Sequence, residues 1–143
     1  MSRFLLIAII ANVVWINAAT VFRYFLFVRP MLREAQSSLP DVAAMSLPVF
    51  LGWGGWILIP VLSVSLLSWF VMRQLGAGLV IALMSGTAVW AMIHASLWTA
   101  MHLMQLAPVA LVTIVLPLTW IEMAVASLIV RWALARDDGD WAG

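Results

Sequence analysis

The sequence predicts an all-α integral membrane protein: four transmembrane helices, with a short interfacial helix between helices 1 and 2. Three observations carry this prediction. Of the 143 residues, 66% are hydrophobic and only 9% charged, against roughly 25% charged in a soluble domain. That leaves too little polar surface to face water, so a lipid bilayer is the expected main solvent. Apolar runs long enough to span a hydrocarbon core of about 30 Å recur between breaks marked by proline, glycine and arginine. Charges keep to those breaks for the most part, and none falls between Gln74 and Gln105. The chain reads as a single domain over 1–143, with helices at about 4–28, 47–72, 77–104 and 108–135 and a short polar tail at 136–143.

Helix 1 begins within MSRFLLIAIIANVVWINAAT. One arginine, an apolar core and small residues are also the composition of a signal peptide; with Met1 present, the segment is read as a retained spanning helix. Asn12 and Asn17 interrupt its apolar run. Arg23 and Arg29 lie toward its far end, where long side chains reach out to the headgroups. Arg29-Pro30 then breaks the pattern. Pro30 opens PMLREAQSSL, with Met31, Leu32, Ala35 and Leu39 on one side, which reads as the interfacial helix. Pro40-Asp41 turns the chain.

Helix 2 starts after Ser46, a suitable N-cap, with Pro48 in the first turn, where its missing N–H costs nothing. It carries GWGGW at Gly52–Trp56, whose glycines permit a close helix contact or a kink. Pro60 removes the hydrogen bond to the Trp56 carbonyl. Arg73 closes the helix and Gln74-Leu75-Gly76 turns. In helix 3, Gly78, Ala82 and Gly86 form a small-residue ridge that lets another helix approach closely. The same four-residue spacing continues as Trp90, His94, Trp98 and His102. In helix 4, Pro117 frees the Thr113 carbonyl, Glu122 lies near the midpoint, and Arg131 and Arg136 mark the exit.

Glu122 is the only acidic residue within a predicted span. A carboxylate at a span's centre costs about 2.5–3.5 kcal/mol on insertion scales, so it should face protein or water. Counted from the Leu106 link at about 1.5 Å per residue, Glu122 lies roughly 24 Å deep and His94 roughly 18 Å. Their side chains lean toward each other, so a Glu122–His94 pair is within reach. The expected mid-membrane polar cluster is Asn12, Asn17, His94, Thr119 and Glu122, beside the Pro60 break. In the plainer reading these groups hydrogen-bond one another and only hold the bundle together.

His94, flanked by Trp90 and Trp98, is the candidate cofactor-binding position. Neutral imidazole binds iron or the magnesium of a chlorophyll, and Ala91, Ala95 and Ser96 leave room for a flat macrocycle. Haem or bacteriochlorophyll is therefore a possible cofactor. His94 and His102 lie about 12 Å apart along one helix and cannot share an ion. With only two histidines in the chain, haem ligated by two histidines from separate helices is excluded.

Composition removes several function classes. The absence of cysteine excludes disulfides, thiolate metal sites and iron–sulfur clusters. A net charge of +1 argues against nucleic acid as a partner, since phosphate binding needs a basic patch. No nucleophile–base–orienter set and no HExxH occur, so no enzyme activity is expected. The expected function is a small accessory or structural subunit of a larger membrane complex, respiratory or photosynthetic. It would pack against other membrane subunits or self-associate, and support a cofactor or pigment. The alternative is a small oligomeric transporter or channel using a mid-membrane Glu/His site. All seven basic residues are arginine, as in a GC-rich bacterium, which places the chain in a bacterial inner membrane. Arg3, Arg73, Arg131 and Arg136 on one side, against Arg23, Arg29 and Arg33 on the other, slightly favour a cytoplasmic N-terminus.

Overall fold

The computed structural model describes residues 2–38 and 46–140, and among these every regular element is a helix. Four helices are long and apolar enough to cross a membrane: α1 (Arg3–Ala35), α2 (Leu47–Leu75), α3 (Leu79–Leu103) and α4 (Val109–Asp140). The predicted Pro40-Asp41 turn and the last three residues of the tail lie outside the described residues.

Local chemistry sets the helix ends. Ser2 caps α1, its Oγ accepting from the Phe4 N–H at 3.2 Å, which satisfies one of the donors a helix start leaves over. Ser46 holds the extended N-cap conformation before α2 without a side-chain cap bond, and Pro48 sits in the first turn. Gly76 closes α2 at φ 95° while its N–H donates to the Met72 carbonyl at 2.9 Å, a backbone geometry that glycine adopts at no steric cost. Gln105, at φ 59°, makes the corresponding stop after α3.

One correction concerns α1. The segment expected as a separate interfacial helix continues α1 without a break. A π-turn at Tyr24–Val28 precedes Pro30, with the Arg29 N–H donating to the Tyr24 carbonyl five residues back. The added residue loosens the hydrogen-bond ladder where a proline would otherwise collide with it. α4 likewise runs on into the polar tail, to Asp140. Pro60 and Pro117 lie inside α2 and α4, which continue through them.

α4 packs along α1 and α3 and also meets α2, while α2 packs on α1 and α3. α2 and α4 therefore form the inner pair, with α1 and α3 on either flank. The half of the bundle holding the start of α1 is tightly closed. Ala8, Met72, Ala82, Val130, Ala133 and Leu134 fill its core, and Ile16, Val61, Val64, Val89 and Met123 fill the level above. Within the expected ridge, Ala82 is fully buried. A Cβ on Gly86 would lie 2.7 Å from the Met123 carbonyl oxygen and 2.8 Å from Ser127 Oγ. Gly86 is thus a point of close backbone approach between α3 and α4. Gly78 is exposed and serves as the N-cap of α3 instead. Gly52, Gly54 and Gly55 of the GWGGW run face open space.

Candidate ligand cavity beside a buried ion pair

The polar residues divide by level. Toward the closed end, Asn12 Nδ2 donates to Ser65 Oγ at 3.0 Å and to the Ala126 carbonyl at 3.3 Å, tying α1 to α2 and α4. Ser85 Oγ donates to Ser68 Oγ at 2.9 Å between α3 and α2. Asn17 donates within its own helix, to the Val13 carbonyl at 2.7 Å. Thr119 also turns back on its own helix, donating to the Val115 and Leu116 carbonyls, and accepts from Trp90 Nε1 at 3.1 Å. The five residues expected to form one cluster are therefore spread over separate contacts.

Glu122 meets Arg23, not His94. The Arg23 guanidinium donates through Nη1 to Glu122 Oε2, and Thr20 Oγ1 donates to Oε1 at 3.3 Å. Arg23 is 7% exposed and Glu122 1%, so the pair is sealed in the bundle. The continuity of α1 explains it. The far end of α1 meets the α3–α4 link, where Gln36 Nε2 donates to the Leu106 carbonyl at 2.9 Å. Arg23 lies about 18 Å back along α1 from its last residue, Ala35, and Glu122 about 20 Å along α4 from its first, Val109. Reading Arg29-Pro30 as the end of helix 1 put Arg23 at the surface. With the helix carried to Ala35, it sits at the level of the carboxylate. A guanidinium and a carboxylate withdrawn from water need each other, so a buried arginine was the signal that Glu122 lacked.

A cavity of about 460 Å³ lies on the far side of Arg23, between α1, α2 and α3. That is within the usual range for small-molecule sites. Each of its three helices is irregular at this level. α1 has the π-turn that starts at Tyr24, directly after Arg23. α2 has Pro60, which lines the cavity. α3 has a second π-turn, Ala91–Ala95, which carries His94. π-turns recur at functional sites because the extra residue re-aims the side chains around it. The close approaches of α2 and α3 concentrate in Leu79–Trp90; beyond that stretch the two helices part around the cavity.

Among the described residues lining the cavity are Arg23, Thr20 and His94, with Trp53, Trp56, Trp98 and Tyr24 as aromatic walls that carry polar edges of their own. His94 is buried, and its Nε2 has no hydrogen-bond partner among the described residues. Trp98 borders the cavity; Trp90 does not line it, and its Nε1 donates to the Leu116 carbonyl at 3.0 Å in α4. His102 is exposed, with Nδ1 3.2 Å from the Ala107 carbonyl at the link. Among the described residues no three His, Cys, Asp or Glu side chains gather into a metal site. Arg23 and Glu122 also back a groove of about 400 Å³ between α1 and α4, walled by Trp15, Phe22 and Ile121. The ion pair thus stands between the cavity and the groove.

No protein-family model matches the chain, and no curated protein or solved structure matches it.

Proposed function

We propose that this chain is a small multi-pass subunit of a bacterial inner-membrane complex that holds a lipid-soluble ligand in the cavity between α1, α2 and α3. It performs no chemistry of its own and presents the ligand to partner subunits. The observation that carries this reading is the convergence of two π-turns and Pro60 on one cavity that contains an unpartnered, buried His94 Nε2. Packing alone does not call for three irregular helices at one level. A buried polar atom without a partner costs about 1–3 kcal/mol, and a ligand that accepts from it or donates to it removes that cost. The abundant outward apolar side chains, such as Val14, Phe22, Phe70, Met84 and Met92, suit lipid and neighbouring helices.

The test is mild-detergent purification of the full chain, followed by solvent extraction with mass spectrometry and by identification of co-purifying chains. A stoichiometric lipophile together with fixed partner chains is expected, and Ile57→Phe, which fills the cavity, should deplete the lipophile. A monodisperse protein that carries neither would refute the proposal.

A second reading, a small oligomeric transporter, is favoured by one observation: Arg23 lines both the cavity and the α1–α4 groove. Reorganisation of the Arg23–Glu122 pair would join the two spaces, as at a midplane transport site. Proteoliposome flux abolished by Glu122→Gln supports this reading. No flux above that of protein-free vesicles dismisses it.

A further inference from the structure

The geometry points to a neutral quinone as the ligand class of the cavity: a flat ring whose carbonyl oxygens accept from Arg23 and His94, with an isoprenoid tail leaving between α2 and α3. This assignment rests on the ligand-holding function proposed above and adds the chemistry of the occupant.

Charge decides the first point. Arg23 is the only cation among the described residues lining the cavity, and Glu122 already neutralises it. A second carboxylate brought to this level would face Glu122 in a low-dielectric interior with no cation of its own, which is costly. That disfavours fatty acids. It disfavours haem too, whose two propionates would need cations that the cavity does not offer. Haem also lacks an opposing ligand here. Among the described residues the only methionine lining the cavity is Met101, on the same helix as His94 and about 10 Å further along it.

Hydrogen bonding decides the second point. A guanidinium has five N–H donors and no acceptor. Arg23 uses Nη1 on Glu122 and Nη2 on Thr20 Oγ1, the latter at a long 3.4 Å, so donors remain for a ligand oxygen. His94 Nε2 is buried, borders the same space and makes no bond. Two donor-capable groups from different helices, α1 and α3, suit a ring with carbonyl acceptors. Trp53, Trp98 and Tyr24 provide faces and edges for a flat ring. The tail has an exit: Trp56 and Leu97 line the cavity and are themselves exposed on the outer surface of α2 and α3.

The experiment uses the full chain in lipid nanodiscs, titrated with a benzoquinone and a naphthoquinone that each bear one isoprene unit and carbon-13 carbonyls. Calorimetry reads the affinity, and infrared difference spectra read the carbonyl stretch. Saturation at one molecule per chain by either ring, with a downshifted carbonyl band, is expected. His94→Leu should weaken binding about tenfold and remove part of the downshift. His94→Gln, which keeps a donor, should retain most of both, so a Leu variant that folds poorly does not decide the matter. Met92→Leu, on the exposed face of α3, should change neither. Quinone binding that is the same in His94→Leu and wild type overturns the assignment. Binding of oleate in a His94-dependent way, with no quinone binding, overturns the ligand class and leaves the ligand-holding function standing. Absence of binding by either probe, with no co-purifying lipophile, overturns both. A Soret band in the gently purified protein would give His94 to a tetrapyrrole and also overturn the quinone.

Discussion

Two carboxylates of α4, Asp137 and Glu122, lie in different halves of the bundle and are handled differently. Asp137 lies in the closed half. It accepts from Ser2 Oγ of α1 and from Arg73 at the end of α2, and the Arg73 side chain is 46% exposed. Glu122 faces the open half, with both members of its ion pair sealed from the surroundings. Around Asp137 the helices are regular and their cores filled. Around Glu122 and Arg23 two helices widen into π-turns, a third carries a proline, and a cavity remains. The difference separates two uses of charge. At the rim a buried Asp137 ties three helix ends together while its arginine stays half in solvent, so one partner is desolvated and not two. In the interior a pair is expensive, and its retention beside a cavity makes sense when it also serves a ligand.

The sharpest break of this comparison comes from the buried pair. Arg23→Leu or Glu122→Leu alone should lower stability by about 3–5 kcal/mol, because each strands an unpaired buried charge. Arg23→Met combined with Glu122→Leu should recover most of that loss, as read by denaturant titration in mixed micelles. A double variant as unstable as the single ones would mean that the pair is needed for packing itself.

The next test contrasts closed packing with open surface. Gly86→Ala should cost about 1–3 kcal/mol, since its Cβ would press on the Met123 carbonyl and Ser127. Gly54→Ala, with nothing within 4 Å, should be neutral or stabilise by about 0.5–1 kcal/mol through helix propensity. Equal effects at the two glycines would remove the distinction between the halves.

The smallest effect is expected at the rim. Asp137→Ala should cost about 1–2 kcal/mol, because it strands the Ser2 hydroxyl but leaves Arg73 free to rehydrate, and added salt should shrink part of the difference. A loss as large as that of Arg23→Leu, insensitive to salt, would make the two pairs equivalent.

Much of the fold can be read along the chain. The apolar runs, the Ser46-x-Pro48 start, the Gly76 turn and the Gly86 contact follow from residue type and spacing. Half-buried Trp15 and Trp90 and exposed Trp120 each donate across to another helix: to the Glu122 carbonyl at 2.9 Å, the Leu116 carbonyl at 3.0 Å and Thr87 Oγ1 at 3.0 Å. The candidate site was half legible. Glu122 and His94 stand out as groups that lipid rejects, and Trp98 was picked with them. Arg23 was misplaced because Arg29-Pro30 looks like a helix end, and a π-turn that absorbs a proline leaves no residue signature.

The sequence by itself determined the number of helices, their apolar character and the two residues that needed explaining, because those properties are local to each stretch of chain. Only the tertiary structure decided that Glu122 pairs with Arg23, that Trp98 borders the cavity while Trp90 donates to α4, and that α2 and α3 part around a cavity. One residue inserted by a π-turn rotates every later side chain by about 100°. The partner of a buried charge therefore depends on the depth and rotation of two helices together, which neither helix encodes alone.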